Sequence, residues 1–106
     1  MHSETVDLGT DIISCIDRAF SRFGQSVFSV VCWKFHFDTN LTKDEIVNRP
    51  DLFSNTIREL FRDGSIAIER AIMEELKFGF NLPDRNYKDL QEVMDSIRFR
   101  GAPNVI

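Results

Sequence analysis

A chain of 106 residues, 42% hydrophobic and 28% charged, carries enough apolar material for one core and too little for two. That balance excludes disorder over most of its length, which requires few apolar residues and a strong charge imbalance. The net charge of −4 disfavours broad binding to phosphate backbones, which relies on clustered Lys and Arg, and Arg98-Phe99-Arg100 is the nearest thing to a basic cluster.

The first predicted helix runs from about Thr10 to Phe23. Ile12, Ile13, Ile16, Ala19, Phe20 and Phe23 recur at three and four residues and form one face. Thr10 or Ser3 is the candidate cap, and Gly24 fits the end. The next segment, 26–37, reads two ways. Val31, Trp33, Phe35 and Phe37 alternate with polar or smaller residues, as in a strand. A lone strand would leave its backbone groups unpaired, and no second convincing strand exists to pair with it. A helix with an apolar face at Val27, Phe28, Val31 and Phe35 is the favoured reading.

Thr42-Lys43-Asp44-Glu45 has the form of a capping box, predicting a helical turn over 43–47. Pro50 suits the first turn of another helix, whose apolar face is Leu52, Phe53, Ile57, Leu60 and Phe61 and whose stop is Asp63-Gly64. Ser65 is the predicted cap of the next helix, which reaches Phe78. Its apolar residues, Ile66, Ile68, Ala71, Ile72, Met73 and Leu76, spread over a wide arc, as in a central helix. Gly79 ends it and Pro83 forbids early resumption. Asp84 or Asn86 is the candidate cap of a last helix through Tyr87, Leu90, Val93, Met94 and Ile97.

The predicted links are short, and short links favour antiparallel neighbours. The expectation is an all-α single domain over 1–106, a compact four- or five-helix bundle with loose termini at 1–8 and 101–106. The alternative is an α+β fold with a short strand at 27–37. No apolar run approaches the roughly 20 residues of a membrane span, so no membrane partner is expected. The polar, acidic start Met1–Asp7 lacks the basic and apolar stretches of a secretory signal. Two cysteines do not make a disulfide scaffold, so a reducing, cytoplasmic setting is expected. Asn40-Leu41-Thr42 fits the glycosylation sequon, which has no use without secretion.

Between Ile16 and Leu82 the order of features resembles a group of small, uncharacterised archaeal helical proteins. The features are Phe23-Gly24-Gln25-Ser26, Cys32-Trp33-Lys34-Phe35, Leu41 to Ile46, Asn48 to Phe53, Leu60 to Gly64 and the pair Ile68-Glu69. These are caps, turns and core positions. The resemblance implies a helix at 26–37 and no particular activity.

Chemistry-bearing patterns are sparse. Cys32 and His36 are four apart, and on a helix they would share a face as a metal-binding pair, with Cys15 or His2 as further ligands. Structural zinc sites use two close pairs and only one loose pair is present, so a buried thiol beside a surface imidazole is the expectation. The same pair as nucleophile and base lacks any sign of an oxyanion hole. Asp38, Asn40, Thr42 and Asp44 suggest a calcium loop, but its required Gly and Glu positions hold Lys43 and Arg49. The helices around Asp63-Gly64 resemble a helix-turn-helix in outline, yet the second presents Glu69, Glu74 and Glu75 beside Arg70, so nucleic acid is not the expected partner. Those carboxylates read as a solvated face, with Arg70 and Glu74 at ion-pair spacing. No phosphate loop, dinucleotide fingerprint or catalytic triad occurs, and no cofactor or catalytic residue is assigned.

The unusual feature is the aromatic supply: ten Phe, one Trp and one Tyr. Phe35, Phe37, Phe78, Phe80 and Phe99 lie near predicted element ends, where the core pattern does not account for them, and Trp33 is expected beside them at the same surface. Aromatics are enriched at protein interfaces. The leading expectation is therefore a non-enzymatic interaction or regulatory module that self-associates, or binds a protein partner, through an aromatic surface. A small apolar-ligand- or metal-binding protein is the second expectation, and a nucleic-acid-associated regulator the third.

Overall fold

Apolar residues recurring at three and four positions fold into helices through most of the described residues. The computed structural model describes residues 8–100, and the side-chain surroundings of residues 8–98. The elements in order are α1 (Leu8–Ser21), α2 (Val27–Thr39), a 3₁₀ turn at Lys43–Ile46, α3 (Pro50–Phe61), a second 3₁₀ turn at Arg62–Gly64, α4 (Ser65–Gly79) and α5 (Leu90–Arg100). No strand occurs among the described residues. The fold is an all-α, bundle-like single domain, and residues 27–37 are helix rather than strand.

Of the expected face α1 buries Ile12, Ile16, Ala19 and Phe20, joined by Cys15, while Ile13 is partly buried and Phe23, beyond the helix end at Ser21, is exposed. It begins at Leu8, which packs against the core, so Leu8 is not part of a loose terminus and Thr10 lies inside the helix rather than at its cap. The rest of the expected loose ends, 1–7 and 101–106, lie outside the described residues, as does Ser3. The chain turns at Gly24, whose φ of 143° is open to glycine and strained for other residues. α2 then turns Phe28, Val31 and Phe35 inward. It outlasts the expected Phe37 and closes on Asn40, whose left-handed backbone (φ 64°) lets its N–H donate to the His36 carbonyl at 2.7 Å.

Three predicted caps differ from those observed. The Thr42 hydroxyl makes no cap bond, because the Glu45 N–H already donates to the Thr42 carbonyl at 2.9 Å in the short 3₁₀ turn. The Glu45 carboxylate instead accepts from the Asn48 side chain. Helix α3 starts at Pro50 as expected but stops at Arg62, which takes φ 52° while Gly64 stays right-handed at φ −70°. Ser65 is therefore buried inside α4 rather than capping it. Finally, α5 starts at Leu90, because Asp89 rather than Asp84 or Asn86 accepts the Glu92 N–H, at 3.0 Å. Tyr87 stays in the loop before it, donating its hydroxyl to the Pro83 carbonyl at 3.0 Å.

α4 is central, packing on α1, α3 and α5, and its contact with α1 is the most extensive in the molecule. Gly79 permits that closeness: a Cβ there would sit 2.8 Å from Cys15 Sγ. α3 bridges α2, α4 and α5, while α2 touches only α1, α3 and the first 3₁₀ turn. A phenylalanine cluster binds the first three helices. Phe20 stacks on Phe28 at 5.3 Å, and Phe53 meets Phe20 and Phe35 edge-on at 6.3 and 5.8 Å. α2 is thus an edge of the bundle, with one face fixed by this cluster.

Candidate functional site

An edge helix in a globular protein normally has one apolar face and one polar face. α2 has apolar residues on both. Opposite the buried Phe28, Val31 and Phe35 stand Val30, Trp33 and Phe37, exposed to 51, 63 and 71%. The spacing of three and four aligns them as one stripe along the helix. The Trp33 and Phe37 rings stack in parallel, with centroids 5.3 Å apart and planes 13° from each other. Stacking hides part of two large rings from water, yet most of each remains in solvent.

The borders of the stripe are polar. At about 100° per residue, Ser29 and His36 fall on one side and Lys34 on the other. Lys34 Nζ lies 2.8 Å from Asp38 and 3.5 Å from Glu59, so its charge is neutralised at the rim. The hydrogen bond to Asp38 holds its ammonium above the usual lysine range. The stripe itself carries no charge. Using the usual ~150–250 Å² of an aromatic side chain, its exposed apolar area is roughly 350 Å². That is within the ordinary range for the largest apolar patch of a monomer and less than half of the roughly 800 Å² per partner of a standard interface, of which it could form only the centre.

The six aromatic residues singled out in the sequence separate on folding. Trp33 and Phe37 meet on the α2 stripe. Phe78 is also exposed, to 87%, but it sits near the end of α4, which makes no contact with α2. Phe35 does not belong to a surface: it is fully buried against Phe53, because it lies two residues from Phe37 and so on the opposite side of the helix. Phe80 is half-buried and packs against the core. The Phe99 side chain lies outside the described residues. Val30 was not anticipated, although its spacing from Trp33 and Phe37 was readable as a helical line.

Cys32 and His36 do share a side of α2, but the Cys32 thiol is not poised as a ligand. Burial pushes the Cys32 thiol up to about 11, with Lys43 only partly opposing it, so the sulfur is protonated at neutral pH. The His36 ring is engaged by a 3.1 Å hydrogen bond from Nδ1 to the Leu41 carbonyl just beyond the helix end. No group of three or more His, Cys, Asp or Glu side chains is placed to hold a metal among the described residues. Cys15 is likewise raised by burial, with the Arg18 guanidinium donating to its sulfur at 3.2 Å. No helix among the described residues is long and apolar enough to cross a membrane.

No family model, curated protein or solved structure matches this chain.

Proposed function

We propose that this chain is a non-enzymatic interaction module that self-associates by pairing α2 with α2 of a second copy. The observation that carries this reading is the exposed Val30–Trp33–Phe37 stripe, an uncharged aromatic line on a helix whose other face is already committed to the core. A second copy suits it because the stripe is self-complementary. Two helices crossing antiparallel about a two-fold axis near Trp33 set the small Val30 against the partner's Phe37, and the reverse. Small against large is how facing helices fill their shared space. Ser29, His36 and the paired Lys34 supply the polar rim of such an interface. Two unpaired thiols, Cys15 and Cys32, support work in a reducing, cytoplasmic compartment.

Trp33 is the sole tryptophan, so its emission reports on the stripe directly. Self-association predicts a blue shift and protection from iodide as protein concentration rises, both reversed by dilution. Phe37→Glu should abolish the shift while leaving the helical circular dichroism intact. Emission that stays solvent-exposed and fully quenchable up to roughly 1 mM protein contradicts the reading.

A further inference from the structure

A second surface lies away from α2, in the groove between α3, α4 and the loop that leads into α5. It is an open depression of about 710 Å³. Six of the chain's 13 Lys and Arg residues line it: Arg58, Arg62, Arg70, Lys77, Arg85 and Lys88. Only four of its 17 Asp and Glu residues do: Asp63, Glu69, Glu74 and Asp89. The groove is therefore at +2, while the rest of a chain of net charge −4 stands at −6.

Most of the carboxylates are already engaged. Glu69 accepts from Ser54 at 3.4 Å and lies 3.8 Å from Arg58. Glu74 faces Arg22 of α1 at 3.8 Å, and Asp89 caps α5. Lys77 and Arg85 pair with Asp84 and Glu92, and both lie over the Tyr87 ring, at 5.7 and 4.1 Å. Arg62, Arg70 and Lys88 take part in no ion pair among the described residues, against two such carboxylates, Asp63 and the capping Asp89. Their placement is not purely ionic. Ile66, Arg70, Met73 and Lys77 follow at helical spacing along the α4 wall, and Ile66 is 66% exposed. Apolar and cationic side chains therefore alternate along one line.

We propose that this groove docks an acidic amphipathic peptide segment of a partner protein. Carboxylates of the segment meet Arg62, Arg70 and Lys88, and its apolar side chains lie on Ile66 and Met73. A nucleic acid fits less well, because its sugar-phosphate backbone offers little to an Ile and Met wall. None of the residues lining the groove lies on α2, so the groove is separate from the α2 stripe.

The test is fluorescence anisotropy of the full chain with a labelled synthetic peptide of about a dozen residues, with Glu and Leu at helical spacing. Two comparison probes are a peptide with the leucines replaced by serine and a single-stranded oligothymidylate of similar charge. The expected result is saturable binding of the Glu/Leu peptide, weakened at least about tenfold by Arg70→Glu combined with Lys88→Glu. The serine peptide should bind about fivefold or more weakly. Ile66→Ser, at an exposed position, should weaken only the Glu/Leu peptide, and Phe37→Ala should change nothing. Absence of binding, indifference to the charge reversal in a variant of unchanged melting temperature, or tighter binding of the oligothymidylate would each overturn the proposal.

Discussion

Gly79 and Cys15 are where the bundle is tightest. A methyl group at Gly79 would meet Cys15 Sγ at 2.8 Å, well inside ordinary contact, and the sulfur is itself buried between α1 and α4. Overpacking of this kind costs about 1–3 kcal/mol. Gly79→Ala should therefore lower stability in urea unfolding by about that amount. Adding Cys15→Ala, which removes the clashing atom, should make the pair less damaging than the sum of the single substitutions. Simple additivity would mean that the two helices are not in contact there. A second residue-scale feature is Glu75, which takes hydrogen bonds from Arg22 at 2.6 Å and Arg18 at 3.4 Å across the same helix pair. The Arg22 guanidinium foremost, helped by Arg18, holds its carboxyl below the usual range. A carboxyl lowered in the folded state stabilises above its unfolded value, about 4.3, and that stability is lost as pH falls through the folded value. Glu75→Gln should cost about 0.5–1 kcal/mol at neutral pH, given the solvent-exposed arginines, and should flatten the loss of stability on acidification.

At the scale of elements, α2 explains why the sequence was ambiguous. A helix with one apolar face shows a clear period, but one with two opposed apolar faces shows almost none. Val31, Trp33, Phe35 and Phe37 alternate like a strand only because odd positions on both sides of the helix happen to be apolar. The helical content, the order of elements and most of the inward face of α1 were legible from periodicity; of the face expected for α3, Phe53 and Ile57 are buried and Leu52, Leu60 and Phe61 only partly, while Ser54 and Thr56 are buried unexpectedly. The caps were less so. Asp89 and Arg62 were missed because a local preference for Gly, Thr or Asn does not foresee which backbone donor the packed loop leaves unpaired. Phe35 was grouped with Phe37 because both lie near the expected end of the helix. Separating them gives a direct prediction, measured by urea unfolding at low protein concentration. Phe35→Ala should cost about 3–5 kcal/mol, since it empties a site between Phe53 and the core. Phe37→Ala should fall within about 0.5 kcal/mol of the wild type, since its ring is largely in solvent. Equal costs at the two positions would mean that the outer face of α2 is buried within the single chain.

Across the whole molecule, the two candidate surfaces were unequally visible in the sequence. The α2 stripe lies within eight consecutive residues and could be suspected from its aromatic content. The cationic groove is assembled from α3, α4 and the loop before α5, so its charge disappears into an acidic average until the chain is folded. The fold itself explains why the stripe stands free. α3 covers α4 and α5, α1 covers α4, and nothing among the described residues covers the outer side of α2. In the proposed dimer a second copy of α2 would supply that missing cover. Sedimentation equilibrium over a wide concentration range, on the wild type and on Phe37→Glu, tests this most directly. The account predicts twice the chain mass for the wild type, dissociating on dilution, and a single chain mass for the variant at every concentration. A wild type that sediments as one chain throughout, or a variant that dimerises as tightly as the wild type, would contradict it.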